Sequence, residues 1–414
     1  MLAALGQDPA QWREPTRLIG AAAETLGAAR VALPDELPRG ERAGAYRSVA
    51  AAELMSSPKL PRQKLIYSLR APEKRRERIA ELGGSAETEA AVERALAWLA
   101  RAQSADGRWD VDGFKTVRQC GGAGDRKDGD VGVTGLALLA YLGAGYTHRS
   151  GQHRDTVRRG LDWLIAGQTA NGDLRRGGQL YGQAMATAAL CEAYSLTGDE
   201  RLLAPARRAV EFICAAQNPG AGWRYEPRED SDTSVTGWQV LALKSAELAG
   251  IATPAVNWQW TALWLEQVRR GQQGGLYAYK EGHGPTPVMT AEGWFCQLFM
   301  SEDTRARGEA ESVFYLRQHL PEWNPAARGT IHFYYWYYAT LALHLSGAQA
   351  FEEWNAALQK ALLQGQRRDG AAAGSWDPID QLGERGGRLY ATTMAALCLE
   401  VYYRYLPFYR QTER

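Results

Sequence analysis

The sequence is short of the features that mark several large protein classes. It has five cysteines in 414 residues, Cys120, Cys191, Cys214, Cys296 and Cys398, with no C-x-x-C spacing. All but Cys120 lie within apolar helical patterns, where a free thiol behaves as a small hydrophobe, so a reducing, cytoplasmic setting is expected. Neither sign of charge dominates. Forty-eight Lys and Arg balance 47 Asp and Glu, for a net charge of +1 and a pI near 7.6, so nucleic acid is not an expected partner. The first residues, Met1-Leu2-Ala3-Ala4-Leu5-Gly6, run into Gln7, Asp8 and Trp12-Arg13-Glu14 without a basic stretch leading to an apolar one, and no secretory leader is expected. The most apolar run, Ile331 to Leu345, is too short for a typical span and carries His332 and His344, so no membrane crossing is expected. No useful stretch alternates with period two, which argues against a sheet.

What is present is apolar helix. Hydrophobic residues make up 45% of the chain, enough for a large core. Residues 1–82 form an uneven helical preface, with alanine-rich stretches from Pro15 to Val31 and Gly40 to Met55 around the turn Leu33-Pro34-Asp35-Glu36-Leu37-Pro38. A basic segment follows from Lys59 to Arg78, in which Arg62, Lys64, Arg70, Lys74, Arg75, Arg76 and Arg78 surround Leu65, Ile66, Tyr67 and Leu69. The simpler reading docks the apolar residues on the main body and leaves the cations in solvent. The sharper one brings them against anionic lipid at a membrane periphery, or against a diphosphate.

Residues 83–414 repeat. Trp98-Leu99-Ala100-Arg101-Ala102-Gln103 with Asp106-Gly107-Arg108-Trp109 returns as Trp163 to Gln168 with Asn171-Gly172, as Phe212 to Gln217 with Gly222-Trp223, and as Trp264 to Gln267 with Gly274-Gly275. It returns again as Val313 to Gln318 with Trp323 and as Leu362 to Gln366 with Asp369-Gly370 and Trp376. Apolar helices lie between these phrases, opening near Asp130, Tyr181, Asp232, Thr286, Ile331 and Leu389. Each unit of roughly 45 to 65 residues is then a polar-faced outer helix, a Gln/Gly/Trp turn and an apolar inner helix, which cannot bury its face alone and must stack. Six such hairpins closing on themselves predict an all-α (α/α)6 toroid with a central cavity.

Glu229-Asp230-Ser231-Asp232-Thr233-Ser234 stands at the mouth of one inner helix. Asp232 is placed to cap that helix. Crowded carboxylates also raise one another's pKa, as a proton donor working near neutral pH requires. Asp130 opens an earlier inner helix with the same Asp-x-x-Val-Thr-Gly pattern, which favours the cap.

The W-L-x-x-x-Q-x-x-x-G-x-W phrase resembles the repeat of squalene-hopene cyclases and related class II terpenoid cyclases. The block from about 85 to 407 is similar to the squalene cyclase and protein prenyltransferase repeat superfamily. The resemblance implies a cyclase that protonates an isoprenoid in an aromatic cavity without a cofactor, with magnesium only if the substrate is a diphosphate. In that family an Asp-x-Asp-Asp-Thr motif carries the donor. Asp230-Ser231-Asp232-Thr233-Ser234 is similar to it with one Asp replaced by Thr. Aligned from its first residue, Asp232 becomes the general acid and Asp230 the neighbour that raises its pKa; aligned on the final Asp-Thr, Ser231 takes the donor position.

Cation stabilisation calls for aromatic faces, worth about 0.5 to 2 kcal/mol each. Trp238, Trp294, Phe295, Tyr334, Tyr335, Trp336, Tyr338 and Tyr390 are the candidates on inner helices, and the run Phe333 to Tyr338 covers every face of its own. Arg224 and Arg228 are candidate diphosphate ligands, among rim cations that include Arg385 and Arg388. Asp125-Arg126-Lys127-Asp128 has the spacing of a magnesium-diphosphate site and also reads as a plain loop. Two family alternatives have their own tests. A thioester domain needs Gly-Cys-Gly-Glu-Gln, which Arg118-Gln119-Cys120-Gly121-Gly122 is not. A zinc prenyltransferase needs Asp two residues before its cysteine, and Cys296 has Trp294 there. A toroid that binds a hydrophobic ligand or a protein partner without chemistry is the remaining alternative.

Overall fold

A computed structural model describes residues 82–113, 120–300, 308–327, 329–347 and 349–404, together with Tyr67, Arg70, Arg75 and Ile79. Among these, twelve α-helices follow one another: α1 (Ala86–Ala102), α2 (Asp130–Gly143), α3 (Arg154–Ala166), α4 (Leu180–Thr197), α5 (Glu200–Ala216) and α6 (Thr233–Leu248). Then come α7 (Ala255–Val268), the two-residue strands β1 (Arg269–Arg270) and β2 (Leu276–Tyr277), α8 (Pro287–Met300), α9 (Glu309–Arg317), α10 (Phe333–Ser346), α11 (Ala350–Gly365) and α12 (Gly383–Arg404). Odd-numbered helices are outer and even-numbered ones inner. Composition explains the division: α3 buries only Val157, Gly160, Leu161 and Leu164, whereas α6 buries every residue from Thr233 to Leu248 except Glu247. Around the inner ring α2 packs on α4, α4 on α6, α6 on α8, α8 on α10, α10 on α12, and α12 returns to α2. The chain is an (α/α)6 toroid, as the repeats predict.

The recurring Gln and Trp are the fasteners. Gln103 donates to Gly107 O of its own turn (2.8 Å) and to Thr156 O at the start of the next outer helix (2.9 Å). Gln168 reaches Pro205 O and Gln217 reaches Asn257 O in the same way. Gln366 donates to Gly374 O (3.0 Å) and to Ala91 O of α1 (2.8 Å), so the last repeat is tied to the first. Trp109, Trp223 and Trp376 cover their turns and donate to Leu99 O, Ile213 O and Leu362 O, each at 2.8 Å. The two middle phrases behave differently: Gln267 and Gln318 are exposed, and Glu311 of α9 accepts from the amides of Gln272, Gln273 and Gly275 instead. Inner glycines allow close approach. A Cβ at Gly135 would lie 2.6 Å from Met185 C, and one at Gly237 would lie 2.1 Å from Glu292 Oε1. Gln366→Ala leaves the Gly374 carbonyl without a donor and removes the tie to Ala91 O of α1, and is expected to cost about 1–3 kcal/mol in a urea titration.

Where it is described, the basic segment docks on the main body as the simpler reading expects, with Tyr67 buried in the core, but its cations depart from both readings. Arg70 and Arg75 are buried rather than facing solvent or lipid. Arg70 pairs with Glu192 (2.7 Å) and donates to Arg404 O; Arg75 pairs with Glu89 and Glu93 and donates to Ala144 O. Both sit at the C-terminal ends of inner helices, where cations offset the helix dipoles. Lys59, Arg62, Lys64, Lys74, Arg76 and Arg78 lie outside the described residues. No described helix is long and apolar enough to cross a membrane.

Candidate functional site

The six inner helices all point their N-termini at one end of the ring, and a cavity of about 700 Å³ opens among their first turns. Its wall takes Gly132, Val133 and Leu136 from α2, Tyr181 and Met185 from α4, Ser234 from α6, Val288 and Met289 from α8, Tyr334 from α10 and Tyr390 from α12. Loops add Tyr225, Tyr279 and His332, with Arg126, Asp128 and Arg385 toward the rim. The wall is therefore aliphatic and sulfur-bearing with five tyrosines set into it.

Asp232 lies directly behind this wall and is 0% exposed. It is the N-cap of α6: Oδ1 accepts from Val235 N (2.7 Å) and from Ser234 Oγ (2.9 Å). Oδ2 accepts from the Tyr279 hydroxyl (3.0 Å), and Arg224 Nε stands 3.5 Å from it. Ser234 is hydrogen-bonded in turn to the Tyr181 hydroxyl, and Tyr279 to Tyr225 (3.0 Å). One buried carboxyl is thus linked by short hydroxyl relays to four wall residues. Burial pushes its pKa up, and the hydrogen bonds from Val235, Ser234 and Tyr279 offset only part of the rise.

Asp230 is placed differently from the sequence expectation. It is held by Lys280 (2.5 Å) and Arg224 (2.8 Å) in a partly exposed ion cluster, with Lys280 as the main cause of its lowered pKa. Desolvation, rather than Asp230, raises Asp232. Asp130 differs as well: its Oδ1 accepts from Val111 N and its Oδ2 faces Arg108 (3.2 Å), and no side-chain bond caps α2. The cap at Asp232 is therefore not a copy of one at Asp130. Burial raises Asp130 to about 6.

Of the aromatic candidates, Tyr334 and Tyr390 line the cavity. Trp238 lies one layer behind, stacked on Tyr337 at 5.8 Å and edge-on to Tyr334 and Tyr338. Phe295 packs on Phe299 and Tyr338, Tyr335 on Trp354, and Trp336 on Phe333; Trp294 is core. Arg224 serves the acid cluster and lies over the Tyr225 ring (4.9 Å). Arg228 sits in a left-handed turn (φ 62°) whose amide bonds Ala216 O, away from the wall. Arg388 is buried, pairing with Asp377 (2.7 Å) and donating to Gly121 O and Cys120 O.

Three groups escape sequence reasoning. Tyr181, Tyr225 and Tyr279 come from consecutive repeats and meet only when those repeats stack. Glu292 is wholly buried beside Gly237, and burial pushes its pKa well up. The single Tyr334 hydroxyl proton faces two acceptors, Glu292 Oε1 (2.9 Å) and Ser234 O (3.0 Å). A protonated Glu292 donating to Tyr334 satisfies both. Asp380, 5% exposed on the loop before the straight part of α12, is raised to about 7 by burial; its Asp-x-x-Gly setting reads as a turn.

Among the described residues, the group with converging metal-ligand atoms is Asp110, Asp112 and Asp130, within 4.8 Å of one another. Arg108 already occupies it, 2.8 Å from Asp110 and 3.2 Å from Asp130. Asp128 is paired with Arg126 (2.8 Å), and Cys296 and His332 belong to no such group. His332 caps α10 through Nδ1, and burial lowers it to about 4.

No protein-family model matches the sequence, and no curated protein matches it. Solved structures share the fold. An inactive variant of an α-1,6-mannanase of Salegentibacter sp. HEL1_6, in complex with α-1,6-mannotriose, superposes over 77% of this chain and 99% of its own, with a TM-score of 0.53 and 11% identity. The type II terpene cyclase MstE from Scytonema covers 77% of this chain and 97% of its own, with a TM-score of 0.51 and 14% identity. An α-amylase from Clostridium perfringens covers 75% and 97%, with a TM-score of 0.50 and 11% identity. At these identities the likeness is one of fold, and that fold is the α/α toroid that these enzymes share.

Proposed function

We propose that the chain is an isoprenoid cyclase that starts its reaction by protonating a carbon–carbon double bond, with Asp232 as the acid. The observation that carries this reading is the Asp232 carboxyl, buried without exposure and joined through Ser234 and Tyr279 to an aromatic and aliphatic cavity. With Oδ1 occupied by two donors, the acid proton belongs on Oδ2, toward Tyr279. Transfer to the Tyr279 oxygen as the Tyr279 proton leaves for the substrate delivers a proton to the wall while the carboxyl stays out of water. Tyr181, Tyr225, Tyr334 and Tyr390 then offer ring faces to the resulting cation.

Glycoside hydrolysis, the activity named for the mannanase, fits less well. It uses two carboxyl groups flanking the scissile bond, about 5 to 10 Å apart. Asp128 is the one carboxylate among the described wall residues, and it is spent on Arg126. With Arg126 held by Asp128, Arg385 and six converging helix N-termini favour an anionic head at the rim, so an isoprenoid diphosphate suits the site better than a hydrocarbon.

Incubation with farnesyl diphosphate, geranylgeranyl diphosphate and squalene, followed by mass spectrometry, tests the reading. A cyclic isomer of one of the diphosphates is expected. Absence of product from all three, with cleavage of α-1,6-mannan instead, would replace it with a glycosidase. Tyr279→Phe removes a hydrogen bond that favours the ionised form of Asp232. The Asp232 pKa then rises further, and because the hydroxyl that passes the proton to the substrate is gone, turnover is expected to fall by roughly 10²-fold or more in steady-state assays.

A further inference from the structure

His332, the N-cap of α10, has its ring in the cavity wall, and Nδ1 accepts from Tyr335 N at 3.3 Å. A backbone amide can only donate, so Nδ1 carries no proton and the ring proton of the neutral imidazole sits on Nε2. The two ring nitrogens point to nearly opposite sides. With Nδ1 turned back onto the helix it caps, Nε2–H points away from that helix, and among the described residues it has no partner. The wall therefore holds a fixed, uncharged donor. Beside it stands the first turn of α12, which packs on α10 and carries Arg385, also in the wall. Arg126 N donates to Arg385 O (3.3 Å), so Arg385 stands at the rim where the mouths of α12 and α2 meet. The cations around it are matched: Arg126 by Asp128, Arg224 and Lys280 by Asp230, and Arg388 by Asp377. Arg385 has no such partner among the described residues. Around the ring α10 and α12 lie opposite α4 and α6, hence across the cavity from Tyr181 and Ser234 of the Asp232 relay.

We propose that His332 Nε2–H and the Arg385 guanidinium hold the diphosphate of the substrate at the mouths of α10 and α12, with the hydrocarbon laid across the cavity toward Tyr279 and the Asp232 acid. The assignment of the anion to an isoprenoid rests on the cyclase reading. Arg385 offers a planar fork that matches two phosphate oxygens, and His332 adds one further N–H. The pairing also bears on chemistry. A diphosphate met by one cation and one neutral imidazole keeps most of its negative charge, so it remains a poor leaving group and the carbon–oxygen bond stays intact while the distant double bond takes the proton. Burial, which lowers His332 to about 4, keeps the ring uncharged at neutral pH.

The test measures binding of inorganic pyrophosphate and of geranylgeranyl diphosphate by titration calorimetry to wild type, His332→Ser and Arg385→Gln, alongside steady-state turnover. Serine keeps an oxygen to cap α10 but withdraws the donor from the cavity, and Arg385 is exposed, so both variants should fold, as thermal melts will check. Wild type is expected to bind both ligands, the prenyl diphosphate more tightly because its chain is buried. Each variant should bind pyrophosphate at least about tenfold more weakly, the usual share of a hydrogen bond to a charged group. On geranylgeranyl diphosphate KM should rise in proportion while kcat changes little, because the head is held equally in ground and transition states. Unchanged pyrophosphate affinity in either variant, or no binding by wild type, overturns this inference alone if wild type still cyclises. Weakened binding in both variants, with no cyclic product from wild type, supports the anion site and overturns the cyclase reading. Equal affinity of wild type for the two ligands would mark a site for a free anion and overturn its assignment to an isoprenoid head.

Discussion

Asp232→Asn is expected to lower turnover by roughly 10²–10⁴-fold, the usual share of a general acid, while the fold stays intact. The two halves of that expectation separate donor from cap. Asparagine keeps an acceptor for Val235 N and Ser234 Oγ and is among the best N-cap residues, so the stability loss should stay below about 1 kcal/mol in urea. It has no acidic proton to give to Tyr279. A side chain that only caps α6 would lose neither stability nor turnover on this change. Asp230→Asn should have a smaller effect, by an indirect route: it frees Arg224, 3.5 Å from Asp232 Oδ2, to bind that oxygen and favour its ionised form.

Arg404→Met is expected to destabilise the protein by about 3–5 kcal/mol, the largest structural effect in the molecule. At the end of the ring away from the cavity, Arg404 is fully buried and holds Glu192 at 2.8 and 2.9 Å, with Glu400 at 3.5 Å. Its guanidinium also donates to Leu139 O of α2. Removing one cation leaves two buried carboxyls sharing Arg70, and burial has already pushed Glu400 well above the usual carboxylate range. The midpoint of a urea titration measures the loss. A shift of less than 1 kcal/mol would mean that the cluster is not what closes that end.

The fold was readable because its fasteners are written as a phrase. Gln103, Gln217 and Gln366 recur at one place relative to Trp109, Trp223 and Trp376, each for the same pair of carbonyls. The phrase misleads where Glu311 takes over from Gln267, since nothing local to Gln267 announces a carboxylate from a later helix. Asp232 was legible as a helix mouth, but the hydroxyls that make it more than a cap were not. Tyr181, Tyr225 and Tyr279 are single residues in three consecutive repeats, joined only by the stacking of those repeats. The run Phe333 to Tyr338 over-promised for a simple reason: at 100° per residue, one of six consecutive side chains, Tyr334, reaches the cavity and the others pack against helix neighbours. Arg70 and Arg75 read as solvated because Glu192 and Glu89, the acids they pair with, are distant in sequence or carry no mark of burial.

The most direct test is turnover of the accepted isoprenoid diphosphate in deuterium oxide, with the product analysed by mass spectrometry. Protonation by Asp232 predicts one solvent deuterium per cyclic product molecule with the diphosphate retained, and no such product from Asp232→Asn. A cyclic or linear product free of deuterium, formed with release of pyrophosphate, would mean that ionisation rather than protonation starts the reaction and would contradict the account.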